Sequence, residues 1–82
     1  MKPNITIKLY NTEDRIAKLE TNKVKDVWQI LKEVDFTYGT IRVDYSDGMF
    51  NEASFSTDRE CKLLLSIFRE KSLLEYLYGG NL

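Results

Sequence analysis

The same order of polar and apolar positions occurs twice along the chain, thirty-six residues apart, and this repetition limits the possible folds more than any single motif does. The alternating apolar residues Ile5, Ile7 and Leu9 match Ile41, Val43 and Tyr45. Farther along, Ala17, Leu19, Thr21, Asn22 and Lys23 match Ala53, Phe55, Thr57, Asp58 and Arg59, and Val27, Trp28 and Leu31 match Leu63, Leu64 and Ile67. The pattern predicts one hairpin-helix unit that is used twice. Two copies are too few to establish common ancestry.

Residues 4–10 and 40–46 alternate between apolar and polar with a period of two, which is typical of strands buried on one face. The first segment would bury its three odd-numbered apolar residues. In the second segment Ile41, Val43 and Tyr45 would point inward, while Arg42 and Asp44 would point outward. These segments are the best-supported strand predictions.

The segment Ser46-Asp47-Gly48 predicts the turn that follows residues 40–46, and the apolar pattern decides its register. A two-residue Asp-Gly turn would mix apolar and polar faces. A three-residue loop with Gly48 in the left-handed conformation instead places Tyr45 opposite Met49 and Ile41 opposite Ala53. We therefore expect the three-residue loop, with a returning strand over residues 49–56.

Both predicted helices have capping residues before them: Asn22 and Asp58, or the threonine that precedes each, are natural N-caps. In residues 24–34 the apolar positions lie within an arc of about 160° on the helix surface. This helix should bury one face. Trp28 belongs to that face, so its expected place is the core.

The C-terminal helix carries more apolar surface than one packed face needs. From Cys61 to Phe68 the apolar residues cover an arc of about 200°. Farther on, Leu73, Tyr76 and Leu77 fall on the polar side of the same helix. Either the helix breaks near Lys71, where residues 72–75 match a capping box, or it exposes these groups. We expect Leu73, Tyr76, Leu77 and Tyr78 to bind a partner.

Composition argues against most catalytic chemistry. The 82 residues contain no histidine, one cysteine and four scattered glycines. These counts exclude a histidine-based hydrolase triad, the commonest zinc ligand and a glycine-rich phosphate loop. No catalytic, cofactor-binding or metal-binding residues are expected. Cys61 lies on the apolar arc of its helix, which predicts a buried structural thiol and not a nucleophile.

The net charge of −1 conceals an uneven distribution: residues 1–32 carry +3, residues 33–60 carry −5 and residues 61–82 carry +1. In the acidic part, Asp44, Asp47 and Glu52 surround the second turn, but their spacing does not fit a calcium loop. Such a hairpin could occupy a basic groove as a mimic of phosphate. Basic residues suited to nucleic acid are Lys18, Lys23, Lys25 and Lys32, with Tyr10 nearby. The low pI of about 5.4 disfavours that partner.

Together these features predict one α+β domain over residues 1–82, with the order ββαββα, a mainly antiparallel four-stranded sheet and two helices on one face. Residues 4–35 and 40–78 would form the two hairpin-helix units. The alternative is a β-grasp, ubiquitin-like arrangement. No apolar run approaches the ~18 residues that cross a bilayer. The single cysteine suits a reducing compartment, so we expect a cytoplasmic protein without membrane contact.

The favoured function is a noncatalytic protein-interaction module: a small regulator, adaptor or inhibitor of the kind that phages and mobile elements encode. It would bind a partner protein or itself through the C-terminal helix, the acidic hairpin, or both. The alternative is a nucleic-acid-binding domain that uses the lysines of the first helix. An enzyme that depends on carboxylates alone is a third class.

Overall fold

A computed structural model describes residues 3–12 and 14–77, with residues 71–77 described as helical backbone only. The elements, in chain order, are β1 (Asn4–Asn11), β2 (Asp14–Thr21), α1 (Val24–Glu33), β3 (Tyr38–Asp44), β4 (Phe50–Phe55) and α2 (Asp58–Leu77). The predicted order ββαββα is confirmed.

The strands form one four-stranded sheet in the order β2-β1-β3-β4, and all three strand pairs are antiparallel. The β-grasp alternative, which has a parallel pair at the centre of its sheet, is not adopted. Each hairpin supplies one central strand and one edge strand. The sheet therefore joins its two halves through the pairing of β1 with β3.

The pairing of β1 with β3 has a local two-fold symmetry that matches the repeat in the sequence. Thr6 and Arg42 are thirty-six residues apart and lie directly opposite each other. On either side of them, Ile5 pairs with Val43 and Ile7 pairs with Ile41. A shift of thirty-six residues exchanges these two pairs. The two-fold axis therefore passes through the Thr6–Arg42 pair.

The symmetry does not extend to the edge strands, because the two hairpins have different registers. Leu9 pairs with Ala17, whereas Ala53, which matches Ala17 in the repeat, pairs with Ile41. The first hairpin also has an irregularity between Leu9 and Tyr10, where Ile16 is an extra residue in β2. The likeness of the halves is thus strongest at the centre of the sheet.

The second turn has the register that the sequence predicts. The Tyr45 amide donates to the Met49 carbonyl at 2.9 Å, and the Gly48 amide donates to the Tyr45 carbonyl at 3.2 Å. Gly48 has a φ of 87°, and Ile41 lies opposite Ala53. Glycine adopts this left-handed conformation without the steric cost of a Cβ. The three-residue loop places Ala53 and Phe55 of β4 on the same face of the sheet as Ile41 and Val43.

The hydrophobic core lies on a single face of the sheet, and both helices cover that face. The strands contribute Ile5, Ile7 and Leu9 of β1, Ile41 and Val43 of β3, Tyr45 directly after β3, and Phe55 of β4. The helices contribute Val27 and Leu31 of α1, and Cys61 and Leu65 of α2. Neither helix of the described ranges lies on the opposite face of the sheet. Predicted inward and outward positions of both central strands are confirmed.

The two helices begin differently, and one capping prediction is wrong. The N-cap of α1 is Lys23, not Asn22, and it has no side-chain cap bond. The backbone at Lys23 is still extended, so the first helical residue is Val24, one residue later than a cap at Asn22 would give. At α2 the Thr57 hydroxyl accepts from the Glu60 amide at 3.1 Å, so the threonine before Asp58 is the cap.

Helix α2 continues without a break from Asp58 to Leu77, so of the two alternatives that the sequence left open the continuous helix is adopted. Leu73, Tyr76 and Leu77 lie in this helix, but their side chains are outside the described part of the structure, as is all of Tyr78. No helix among the described residues is long and apolar enough to cross a membrane.

Candidate interaction surfaces

Two large apolar side chains face solvent on neighbouring turns of α2. Leu63 is 62% exposed and Ile67 is 52% exposed, whereas Cys61 and Leu65 on the opposite side of the helix are buried. Residues four apart on a helix are surface neighbours. The apolar arc of α2 is wider than the sheet can cover, and among the described side chains of this helix these two large apolar residues are the uncovered part. We call Leu63 and Ile67 the α2 stripe.

The α2 stripe faces away from α1. The ammonium group of Lys62 lies 5.4 Å from the centre of the Trp28 ring, so this side of α2 is next to α1. At about 100° per residue, Leu63 and Ile67 are at least ~100° farther around the helix. Leu64, which packs partly against the core, lies between the stripe and the sheet. The stripe thus extends the core outward to solvent.

The partly buried hydroxyl group of Tyr45 fixes α2 to the second hairpin beside the stripe. The Tyr45 hydroxyl donates to the Phe68 carbonyl at 2.7 Å and accepts from the Asn51 side-chain amide at 3.0 Å. Hydrogen bonds of this type hold one packing geometry. Because Phe68 directly follows Ile67, the stripe lies on a segment of helix that is held in place.

The only cysteine is a structural residue, as the sequence predicts. Cys61 is fully buried and forms no disulfide. Burial, with a smaller contribution from Asp58, raises the pKa of its thiol to about 12, against a partial opposing effect of Lys62. The thiolate is the reactive form of cysteine. Cys61 is therefore protonated near neutral pH and is not an activated nucleophile.

A second surface is the uncovered face of the sheet, where an aromatic pair adjoins basic residues. The rings of Tyr10 and Tyr38 stack with their centres 4.8 Å apart and their planes 3° apart. On the next outward row of β1, Lys8 lies directly opposite Lys18. Local sequence patterns do not indicate the tyrosine pair, because it depends on the pairing of β1 with β3.

The four lysines considered for nucleic acid do not form one surface. Lys18 lies on the uncovered face of the sheet and forms an ion pair with Glu20 at 3.2 Å. Lys25 and Lys32 belong to α1, which covers the other face. Lys23 and Lys25, together with Arg69, line an open depression of about 400 Å³ at the start of α1. The lysines are therefore divided between two sides of the molecule.

Two of the three carboxylates of the acidic hairpin, those of Asp44 and Asp47, form separate local contacts. Asp44 forms an ion pair with Arg42 at 3.0 Å, and Asp47 accepts from the Met49 amide at 2.9 Å. Glu52 lies opposite Arg42 in the sheet. The Arg42 guanidinium also lies 3.9 Å from the centre of the Phe50 ring. Within the described residues, no group of three or more carboxylate or thiol side chains is arranged to hold a metal ion.

No protein-family model, curated protein sequence or solved structure matches this chain. Functional interpretation therefore depends on the two surfaces themselves, namely the α2 stripe and the uncovered face of the sheet.

Proposed function

We propose that the protein is a noncatalytic interaction module, acting as a regulator, adaptor or inhibitor, and that the α2 stripe is the centre of its binding surface. The observation that carries this proposal is the 62% exposure of Leu63 beside the 52% exposure of Ile67. Full burial of a side chain of this size is worth about 1.5–3 kcal/mol. A partner that covers the stripe would recover part of that free energy from each residue.

The arrangement of the stripe supports binding more than ordinary exposure does. Single exposed apolar residues are common on protein surfaces. Here two are adjacent on one helix, next to the partly buried Leu64, and the helix is held by the Tyr45 hydroxyl. The fully buried centre of a protein interface is typically apolar and is surrounded by a polar rim. The exposed charged residues Arg59 and Glu70 provide such a rim.

Catalysis receives no support from the described side chains. None of the polar or charged ones is buried, and the single thiol has a pKa raised to about 12. Enzyme sites typically hold polar groups in a partly enclosed pocket with perturbed pKa values. The cytoplasm remains the proposed location, because a free cysteine suits a reducing compartment.

Affinity capture from the native host, followed by mass spectrometry, tests the proposed function. Bait proteins are the wild type, Leu63→Glu, Ile67→Glu and the control Met49→Glu. Met49 is 58% exposed at the tip of the second hairpin, so the control adds the same charge at an exposed apolar residue elsewhere. We expect a protein that binds the wild type and the control but neither stripe variant. Equal capture by all four baits would contradict the proposal.

The acidic hairpin remains a narrower proposal, as a phosphate mimic that binds a basic groove. Because Asp44 and Asp47 already have partners, Glu52 is the residue to test first. Glu52→Lys should weaken binding to the captured protein, and the triple charge reversal of Asp44, Asp47 and Glu52 should abolish it. Unchanged affinity in the triple variant would refute phosphate mimicry.

Binding of single-stranded nucleic acid by the uncovered face of the sheet is the second candidate function. The stacked Tyr10–Tyr38 pair beside Lys8 and Lys18 is the observation that favours it. Bases stack on aromatic side chains, and lysines contact phosphates. This location differs from the helix expected from the sequence.

Fluorescence anisotropy with labelled single-stranded oligonucleotides, at several salt concentrations, separates the two locations. Lys8→Glu should remove binding if the sheet face is used, whereas Lys32→Glu on α1 should leave it unchanged. The reverse result would return the site to α1. No salt-sensitive binding by the wild type would exclude both locations.

A further inference from the structure

We propose that the α2 stripe binds a second copy of this chain, so that two α2 helices pack antiparallel about a two-fold axis. This inference rests on the proposed function, because it names the partner of the same surface. A symmetric dimer is the commonest assembly of identical chains, and its interface contacts itself. The positions of the apolar and charged residues along α2 fit such an interface.

The apolar residues fit because the stripe is centred between Leu63 and Ile67. In an antiparallel pair with its two-fold axis at Leu65, Leu63 of one copy lies opposite Ile67 of the other, and the reverse contact occurs as well. Both side chains are exposed in the single chain. Four apolar side chains would then form the centre of the interface.

The charges beside the stripe fit the same axis. At about 100° per residue from Cys61, Arg59 lies at ~160° and Glu70 at ~180°, on the same flank of the stripe. An antiparallel two-fold arrangement brings this flank against itself. Arg59 is six residues before the axis and Glu70 is five residues after it, so each Arg59 faces Glu70 of the second copy. Neither residue forms an ion pair with another described residue.

A parallel arrangement lacks this complementarity. In a parallel two-fold pair each flank of the stripe meets the opposite flank of the second copy, so Arg59 and Glu70, which share one flank, would not face each other. The charge pattern thus selects the antiparallel orientation. The side of α2 that would be used is also accessible, because α1 lies next to Lys62 and not next to the stripe.

The interface is small, so the dimer should be weak. Antiparallel helices centred at Leu65 overlap over roughly fifteen residues, or about 22 Å at 1.5 Å per residue. An interface one helix wide and of that length buries less area than the roughly 1,200–2,000 Å² of stable protein–protein interfaces. We therefore expect dissociation constants in the micromolar range, in keeping with an exchangeable assembly.

Sedimentation equilibrium of the purified chain, from low micromolar to submillimolar concentration, tests the proposal. Wild type and the control Met49→Glu should both show a monomer–dimer equilibrium. Ile67→Glu should raise the dissociation constant at least about tenfold, because it places two carboxylates in the apolar centre. Circular dichroism of each variant establishes that it is folded.

A charge exchange tests the orientation. Arg59→Glu and Glu70→Arg should each weaken the dimer by about three- to tenfold, because each removes two rim ion pairs and adds repulsion. The double variant should return to nearly the wild-type dissociation constant. If it is as weak as either single variant, the antiparallel pairing is wrong.

A wild-type chain that stays monomeric at submillimolar concentration overturns the inference, as does a dimer that Ile67→Glu leaves unchanged. Such a result is distinct from failure of the proposed function, which the capture experiment measures with other proteins from the host. A stripe that captures another protein without self-association would leave the proposed function standing. If the wild type neither self-associates nor captures another protein, both proposals are wrong.

Discussion

Thr12 and Gly48 occupy matching positions in the two hairpins, thirty-six residues apart, and both have a positive φ, 61° for Thr12 and 87° for Gly48. Glycine adopts this conformation readily, whereas a β-branched residue is strained in it. Thr12 is held by its backbone amide, which donates to the Thr37 hydroxyl at 3.0 Å. Thr37 in turn donates its amide to the Tyr10 carbonyl at 2.9 Å. The strain at Thr12 is therefore maintained by a link between the two halves.

Thr12→Gly should stabilise the protein by about 0.5–1 kcal/mol, because glycine removes the side-chain strain and the amide bond to Thr37 is kept. Urea unfolding measures the change. The matched control is Gly48→Ala, where a Cβ would meet no atom within 4 Å, so only the positive φ resists it. That variant should lose about 1 kcal/mol. A less stable Thr12→Gly would show that the threonine conformation is not strained.

Gly39→Ala should destabilise the protein by roughly 2–3 kcal/mol through overpacking. A Cβ at Gly39 would lie 2.6 Å from the Phe55 ring and 2.8 Å from the Lys8 carbonyl oxygen. The backbone oxygen belongs to a central strand and cannot move aside easily. A Leu9 side-chain carbon would also be close, at 2.9 Å, so combining Gly39→Ala with Phe55→Leu relieves one of three contacts. If Gly39→Ala alone unfolds at the wild-type urea concentration, the packing of Phe55 over β3 is not as described.

The buried thiol should make stability fall at high pH. An unfolded cysteine loses its proton near its ordinary pKa of 9.0, whereas Cys61 in the folded protein holds its proton up to about 12. Its contribution is therefore complete below pH 9 and is lost as the pH rises from 9 towards 12, by up to about 1.4 kcal/mol per pH unit. Cys61→Ala lacks this loss. Urea unfolding of both proteins between pH 8 and pH 10.5 gives the difference in slope, and equal slopes would contradict the raised pKa.

Thr57→Ala should cost about 1 kcal/mol of unfolding free energy, because the Thr57 hydroxyl accepts from the Glu60 amide at the start of α2. Asn22→Ala is the matched control and should stay within about 0.5 kcal/mol, since Asn22 does not cap α1. Thermal or urea unfolding measures the free energy of unfolding of both variants. A large loss for Asn22→Ala would restore the cap that the sequence predicted there.

The sequence predicts those parts of the fold that depend on local patterns. Period-two alternation identifies β1 and β3, and the register of the second turn follows from Gly48 together with the apolar residues on either side. The antiparallel sheet with two helices on one face follows from repeating the hairpin-helix unit. In each case neighbouring residues carry the information.

Features that depend on contacts between distant segments could not be predicted. The apolar arc of α2 indicated an excess, but only the position of the sheet shows that Leu63 and Ile67 are the uncovered residues. Stacking of Tyr10 on Tyr38 requires the β1–β3 register, which no local pattern specifies. The cap of α1 was predicted at Asn22 or Thr21, but the N-cap is Lys23, while Thr21 ends β2 and its hydroxyl bonds to the Asp26 carboxylate at 2.6 Å.

The antiparallel pairing of β1 with β3 also has a consequence for a cleaved chain. A cut between α1 and β3 would give two peptides, each with a hairpin and a helix but with one central strand unpaired. Neither fragment could bury its apolar face alone. Mixed in equal amounts, they should reassociate through the Thr6–Arg42 region, which makes this small domain suited to split-protein complementation.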